Sequence, residues 1–306
     1  MQTILGAGGA IGRELAKNLT TYTDEIRLVG RNPEKVNEND ELIAADLTTE
    51  EGVKKGVKGS EVVYVTVGFE YKTSVWKQLW VPFIERVIDA CAANKSKLVF
   101  FDNINMYDPD FLDGMDENTP IRPVSEKGKI RAEVAKKVMD AHETGKIEAQ
   151  IARAADFMGP TQNSVPYSLI YEKLKTGKAA QWLCRKDKVH NFTFTPDAGM
   201  AMALLGNTES AYGEVWHMPS DSTRLNIEEY TAKMADILEV KPKLSILPKA
   251  MMTLLGWFMS PIKELKEMSY QYERDYLFDS SKIEKRFGIA PTPIKEQILA
   301  LKTESA

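Results

Sequence analysis

The chain has 306 residues, 43% of them hydrophobic and 27% charged, the balance of a globular protein able to bury a sizeable core as one large domain or two smaller ones. Forty Lys and Arg against forty-four Asp and Glu leave a net charge of −4, and no basic block stands out. That excludes the electrostatic footprint of a nucleic-acid-binding surface.

An apolar run at residues 1–5 predicts a first strand, with no signal peptide ahead of it. It feeds Gly6-Ala7-Gly8-Gly9-Ala10-Ile11-Gly12, after which residues 13–19 read as a helix. A strand, a glycine turn and a helix N-terminus present backbone N–H groups and a positive dipole end, the geometry that holds a dinucleotide pyrophosphate. The spacing is G-x-x-G-x-x-G; G-x-G-x-x-G fails at Ile11. Gly6, Gly8, Gly9, Ala10, Ile11 and Gly12 are therefore the expected phosphate cradle. An ordinary glycine-rich turn is the plain alternative.

A second strand over residues 26–30 ends at Arg31. An acidic residue there would grip a ribose 2′-OH, whereas arginine accommodates a 2′-phosphate. Arg31 thus points to NADP, with NAD as the alternative coenzyme and a solvated surface charge as the plain reading. Asp46-Leu47 closes an expected third strand, and Thr48-Thr49-Glu50-Glu51 reads as a capping box opening a short helix. Residues 61–67 are a β-branched run, hence a buried strand, whose end at Val67-Gly68 joins the cofactor-binding set. Trp80, Phe83, Ile84, Val87, Ile88 and Cys91 recur at helical spacing. A strand at residues 97–101, a helix at 127–142 and a strand at 147–151 complete the alternation.

This order predicts an α/β fold, a Rossmann-type doubly wound parallel sheet with ligand at the carboxyl ends of its strands. After Gly159-Pro160 the pattern changes. Residues 167–175 read as a helix, 179–194 as strand-like segments, and Thr195-Pro196-Asp197 as the cap of a helix through Leu205. The expected division is a Rossmann domain over residues 1–160, joined by 188–219. A smaller, discontinuous C-terminal substrate lobe takes residues 161–187 and 220–306. Residues 250–259 are strongly apolar, bracketed by Lys249 and Lys263, and too short to span a bilayer. They read as a core or lid helix, with an interfacial anchor as the alternative. Cys91 and Cys184 are the only cysteines, which suggests a reduced, cytoplasmic protein with packed thiols.

Together these landmarks resemble the short-chain dehydrogenase/reductase superfamily, in its extended epimerase and dehydratase branch. The resemblance covers most of the chain. It rests on Gly6-x-x-Gly9-x-x-Gly12, Asp46-Leu47, Met106-Tyr107, Glu117-x-Thr119-Pro120 with Pro123 and Gly128, and Arg153-x-x-Asp156-Phe157-Met158-Gly159-Pro160, with Asp197 in a late helix. It implies that Asp46 and Leu47 contact adenine. It also implies a Tyr-x-x-x-Lys pair on the helix beginning near Glu126, but Lys127 stands at the tyrosine position and Arg131 at the lysine position. The family's active-site Ser/Thr is Asn103. Such a pattern resembles the atypical members of the superfamily.

Arg131 can keep the lysine's role as ribose donor, since guanidinium offers several N–H groups but cannot shuttle protons. Lys127, one turn earlier, would face the same side. That like-charge proximity, with burial, would ease proton release and make Lys127 a general acid toward a carbonyl, with Asn103 polarising the same oxygen. The plain readings are a solvated helix-start lysine, an i,i+4 surface partner for Arg131, and turn chemistry beside Asp102 for Asn103. Tyr107 is the remaining proton donor, although its family counterpart is chiefly structural. Tyr71, Trp76, Trp80, Tyr167, Tyr171, Trp182 and Trp257 line a substrate cavity or pack the core. No metal is expected, because His142, His190 and His217 are far apart.

The expected function is an NADP(H)-dependent oxidoreductase acting on a small, largely apolar carbonyl substrate. The alternatives are a non-catalytic NADP(H) sensor or scaffold resembling NmrA-like regulators, and a nucleotide-sugar epimerase or dehydratase. A small-molecule substrate is the expected partner, without nucleic acid or membrane. A homodimer through the helix carrying Phe83 and Cys91 follows by analogy with the family.

Overall fold

A computed structural model describes residues 1–159 and 164–304, so Pro160 of the family-like motif lies outside the described residues. The first elements are β1 (Gln2–Leu5), α1 (Ala10–Leu19), β2 (Ile26–Gly30), β3 (Glu41–Ala44), α2 (Glu50–Val57) and β4 (Val62–Val65). Next come α3 (Thr73–Asn94), β5 (Lys97–Asp102), α4 (Glu126–Glu143), β6 (Ala149–Arg153), β7 (Phe157–Met158) and α5 (Glu172–Lys175). β8 (Ala180–Leu183), β9 (Thr193–Phe194), α6 (Thr195–Gly206), β10 (Val215–His217), α7 (Ile227–Leu238) and β11 (Leu244–Leu247) follow. The last helices are α8 (Lys249–Leu255), α9 (Ser260–Lys266), α10 (Ser281–Phe287) and α11 (Ile294–Glu304). The chain divides into two units: residues 1–104, 126–154 and 195–218 form one, and residues 105–125, 155–194 and 219–306 the other.

The first unit is a seven-stranded sheet in the order β10-β6-β5-β4-β1-β2-β3. Every pairing in it is parallel. β4 is buried at all four positions, the signature of a strand covered on both faces. The order reverses beside β1, with β2 on one flank and β4 on the other; that is the switch point where a crevice opens beyond the strand ends. One layer of core packs α2, α3 and α4 against the sheet, and α1 packs against α6. Phe83, Ile84, Val87, Ile88 and Cys91 of α3 pack into this core.

Two local expectations change. β3 ends at Ala44, so Asp46 and Leu47 follow the strand rather than close it. The cap of α2 is Thr49, whose hydroxyl accepts from the Gly52 amide at 3.1 Å. Its third helical residue is a glycine, with no side chain to reach back, so no reciprocal box forms.

In the second unit, β7 pairs with β9 and β8 with β11, both parallel. A core of Trp182, Phe192, Tyr230 and Met234 packs α7 and α11. Residues 167–171 form a π turn ahead of α5, with Tyr167 and Tyr171 stacked at 5.0 Å. The strand-like reading of 179–194 resolves into two short strands. The apolar run at 250–259 is not a core helix. Met251, Leu254, Trp257, Phe258 and Met259 are exposed, while Met252 and Gly256 face inward. Among the described residues no helix is long and apolar enough to cross a membrane.

Candidate coenzyme-binding site

The site is built at the carboxyl edge of the first unit's sheet. Gly6 leaves β1 with φ +92°, a region costly for any residue with a Cβ. Its amide donates to the Val29 carbonyl at 3.0 Å. A Cβ at Gly6 would lie 2.7 Å from the Val67 nitrogen, so the turn is pressed against the end of β4 at the switch point. A Cβ at Gly12 would come within 2.8 Å of the Ala7 Cα, which fixes how closely α1 seats on the turn. Gly8, by contrast, is exposed with nothing near its absent side chain.

α1 starts at Ala10 behind Gly9, with no side-chain cap and no acidic residue in its first turn. An α-helix leaves its first N–H groups without intrahelical acceptors, and its dipole places partial positive charge there. The bare crest at Gly8 gives an anion a path to those donors. These residues fit a dinucleotide diphosphate: the helix end asks for an acceptor and no side chain supplies one.

Arg31 follows β2 directly and is exposed. Asp46 lies within its electrostatic reach: the Asp46 carboxyl is held below its usual range by the Thr48 amide and hydroxyl, at 2.9 and 2.8 Å, and further by the Arg31 charge. Leu47 is buried beside it, and beyond β4 Val67 is half-buried and Gly68 exposed. The structure thus gathers the expected phosphate, 2′-phosphate and adenine residues along adjacent strand ends of one sheet.

At the start of α4 the outcome differs from a solvated helix-start lysine. Lys127 is fully buried; its Nζ donates to the Thr73 hydroxyl at 2.8 Å and sits 4.8 Å from the Tyr71 ring centre. Glu126 is the solvent-facing residue, bonded to Lys129 at 2.7 Å and Lys77 at 2.8 Å. Those lysines, Lys129 first, hold its carboxyl at about 2.

Arg131 is also buried, which removes its reading as a surface partner. Its Nε donates to Asp102 Oδ1 at 2.8 Å, and a second guanidinium nitrogen reaches the same carboxylate. Trp80 and Phe100 pack on the guanidinium, 4.3 and 4.9 Å from ring centre to Cζ. Arg153 donates to the other Asp102 oxygen at 3.1 Å, so one carboxylate at the end of β5 ties two buried arginines. Lys127 and Arg131, one turn apart, therefore do not confront each other as bare charges. One is held by a hydroxyl and an aromatic face, the other by Asp102.

Asn103 comes immediately after β5, half-buried, and its backbone N–H donates to Asp102 Oδ1 at 2.8 Å. The turn chemistry weighed for it is present, and it stands at the same sheet edge as the other candidates. Tyr107 belongs to the second unit, where it is fully buried and its backbone bridges Ile121, the placement of a packing residue. Trp76, Trp80 and Trp182 are core, whereas Tyr71 is exposed over Lys127. Among the described residues, no group of His, Cys, Asp or Glu is placed to hold a metal ion.

Thr73 and the Asp102–Arg131–Arg153 cluster were not legible from spacing. Asp102 stood only as a neighbour of Asn103 and Arg153 only as a landmark. The available signal is an acidic residue closing a strand whose four central residues, Leu98 to Phe101, are apolar.

Residues 6–143 match the family described as NAD(P)H-binding. No curated protein matches this sequence. Among solved structures, dTDP-glucose 4,6-dehydratase DesIV from Streptomyces venezuelae, with NAD and TYD bound, is similar at 16% identity and TM-score 0.75, covering 97% of this chain and 96% of that one. UDP-glucuronic acid 4-epimerase from Bacillus cereus, in complex with UDP-glucuronic acid and NAD, is similar at 16% identity and TM-score 0.79, covering 98% and 97%. UDP-N-acetylglucosamine 4-epimerase from Bacillus cereus gives 13% identity and TM-score 0.75, covering 98% and 96%. At such identities the likeness is one of fold. The chain shares the Rossmann-type fold of these dehydratase and epimerase structures, and the NAD(P)H-binding family model matches the part of it, residues 6–143, that carries the glycine turn.

Proposed function

We propose that the protein is an NADP(H)-dependent oxidoreductase of the atypical extended type, acting on a small, largely apolar carbonyl substrate. The observation that carries the coenzyme assignment is the uncapped start of α1 behind an exposed glycine crest. Arg31, standing directly after β2 where NAD-preferring folds carry an acidic residue, supports NADP over NAD. Gly8 to Gly12 would hold the diphosphate, Arg31 the 2′-phosphate, and Asp46 with Leu47 the adenine. When bound, the coenzyme supplies or takes up a hydride.

The chain's own residues handle the oxygen. Lys127 Nζ, held by Thr73 and backed by the Tyr71 face, is a donor with restricted orientation, and it donates a proton to the substrate oxygen or recovers one from it. Asn103 polarises the same oxygen through its amide N–H groups. Arg131 is bound to Asp102, and its part is to hold the end of β5 and the base of α4 in register. A nucleotide-sugar epimerase or dehydratase, like the three similar structures, is disfavoured because Lys127 stands where the family resemblance places a tyrosine.

One observation favours the second reading, an NADP(H) sensor. The position that in the family supplies the lysine is an arginine already committed to a carboxylate. Steady-state assays with NADPH and a panel of aliphatic and aromatic carbonyl compounds separate the two. Turnover that Lys127→Met abolishes supports the enzyme; saturable NADPH binding with no turnover across the panel supports the sensor.

A further inference from the structure

In the second unit, α8 and α9 form a hairpin whose tip is Trp257-Phe258-Met259, and the two aromatic residues are 76% and 81% exposed. Large apolar side chains that bare are unusual on a protein surface unless something covers them. The hairpin is firmly built. A Cβ on Gly256 would lie 2.9 Å from the Met252 carbonyl and 3.3 Å from the Lys263 Cα, so this glycine lets α9 close onto the end of α8. Met252 anchors the inner side, buried, with its sulfur 3.8 Å from Cys184 Sγ. Met251, Leu254 and Phe258, at helical spacing, continue the exposed stripe outward.

The helices of the hairpin carry three lysines, Lys249, Lys263 and Lys266, against one glutamate, Glu264, with Glu267 just past α9. Lys263 is exposed and its backbone abuts Gly256 at the tip, with Lys266 one turn further along α9. Lys249 is bonded to Glu273 at 2.6 Å and so contributes less. Tryptophan and phenylalanine beside basic residues match the lipid–water boundary of an anionic bilayer: the rings enter the acyl margin and ammonium groups meet phosphate and carboxylate headgroups.

We propose that the α8–α9 hairpin docks the protein reversibly on anionic phospholipid surfaces through Trp257 and Phe258, with Lys263 and Lys266 supplying the preference for negative lipid. The hairpin is too short to span, so the attachment is peripheral. This assignment is independent of the coenzyme reading and stands or falls apart from it.

Co-sedimentation of the full chain with vesicles tests it, using phosphatidylcholine alone and phosphatidylcholine mixed with phosphatidylserine. The protein partitions onto the mixed vesicles and little onto phosphatidylcholine, and added salt weakens the binding. Trp257→Ser with Phe258→Ser lowers partition at least about tenfold. Lys263→Gln and Lys266→Gln each lower it about fivefold. All four side chains lie outside the core, so unchanged thermal unfolding confirms that the variants are folded. Failure of the wild-type chain to bind either vesicle overturns the proposal. Binding that survives the aromatic double change overturns it too, as does a solution dimer that this change dissolves while vesicles are ignored, since the hairpin would then cover a second copy.

Discussion

Arg131 and Asp102 form a buried ion pair whose Nε–Oδ1 bond is 2.8 Å, and the same carboxylate accepts from Arg153 at 3.1 Å. A carboxylate held between two guanidinium groups away from water is stable only while all three are present, because each unpaired charge would carry its full desolvation cost. The cluster closes the end of β5 against β6 and α4, directly beside Asn103.

Asp102→Ala should therefore cost stability far beyond a surface change. Removing one member of a buried charged set costs about 3–5 kcal/mol. Urea unfolding followed by circular dichroism should show a large fall in midpoint with little change in slope. A midpoint within experimental error of wild type would mean that water reaches the cluster.

Lys127→Met should remove turnover while leaving coenzyme affinity intact, since the lysine's hydroxyl partner belongs to α3 and not to the glycine turn. General acid–base groups contribute about 100- to 10,000-fold. Thr73→Val should give a milder loss in kcat, about fivefold, for one hydrogen bond. Equal kcat in both variants would move the proton donor elsewhere.

Arg31→Ala should weaken NADPH and leave NADH unaffected. A charge-assisted hydrogen bond contributes about 1.5–3 kcal/mol, hence about 10- to 100-fold in Kd. Isothermal titration with both coenzymes reads this as a change in their ratio; parallel loss of both would place Arg31 on the diphosphate.

Burial raises the Cys91 thiol from 9.0 to about 12 and the Cys184 thiol to about 11. For a group raised on folding, the stabilising term is complete below the unfolded value and is lost as pH climbs through the folded one. Stability should accordingly decline from about pH 9 upward, over the interval up to about 12. Cys91→Ala should flatten that alkaline decline, although the smaller side chain lowers stability at every pH. Thiol titration with Ellman's reagent at neutral pH should leave Cys91 unreacted until denaturant is added.

The sheet was legible in the sequence because parallel strands buried on both faces read as unbroken apolar runs, as at Val62–Val65. The phosphate turn was legible because glycine alone meets a positive φ at Gly6 and the close approach at Gly12. Burial of individual charges was not. Nothing in local spacing separates Lys127, which is sequestered, from Glu126 and Lys129, which are solvated, because the distinction depends on Thr73 and Tyr71 more than fifty residues away. The exposed hairpin tip failed for the converse reason. An apolar run of ten residues looks like core, and only the tertiary arrangement shows which side of α8 has neighbours.

The coenzyme site is tested most directly by calorimetric titration of NADPH into wild-type protein and into Gly8→Asp. The crest has room for an aspartate side chain, so the variant should fold and unfold as wild type does, while its carboxylate repels a diphosphate from the start of α1. Saturable binding to wild type and none to the variant is the predicted result. A wild-type protein that ignores NADPH, or a variant that binds it equally well, would contradict the account.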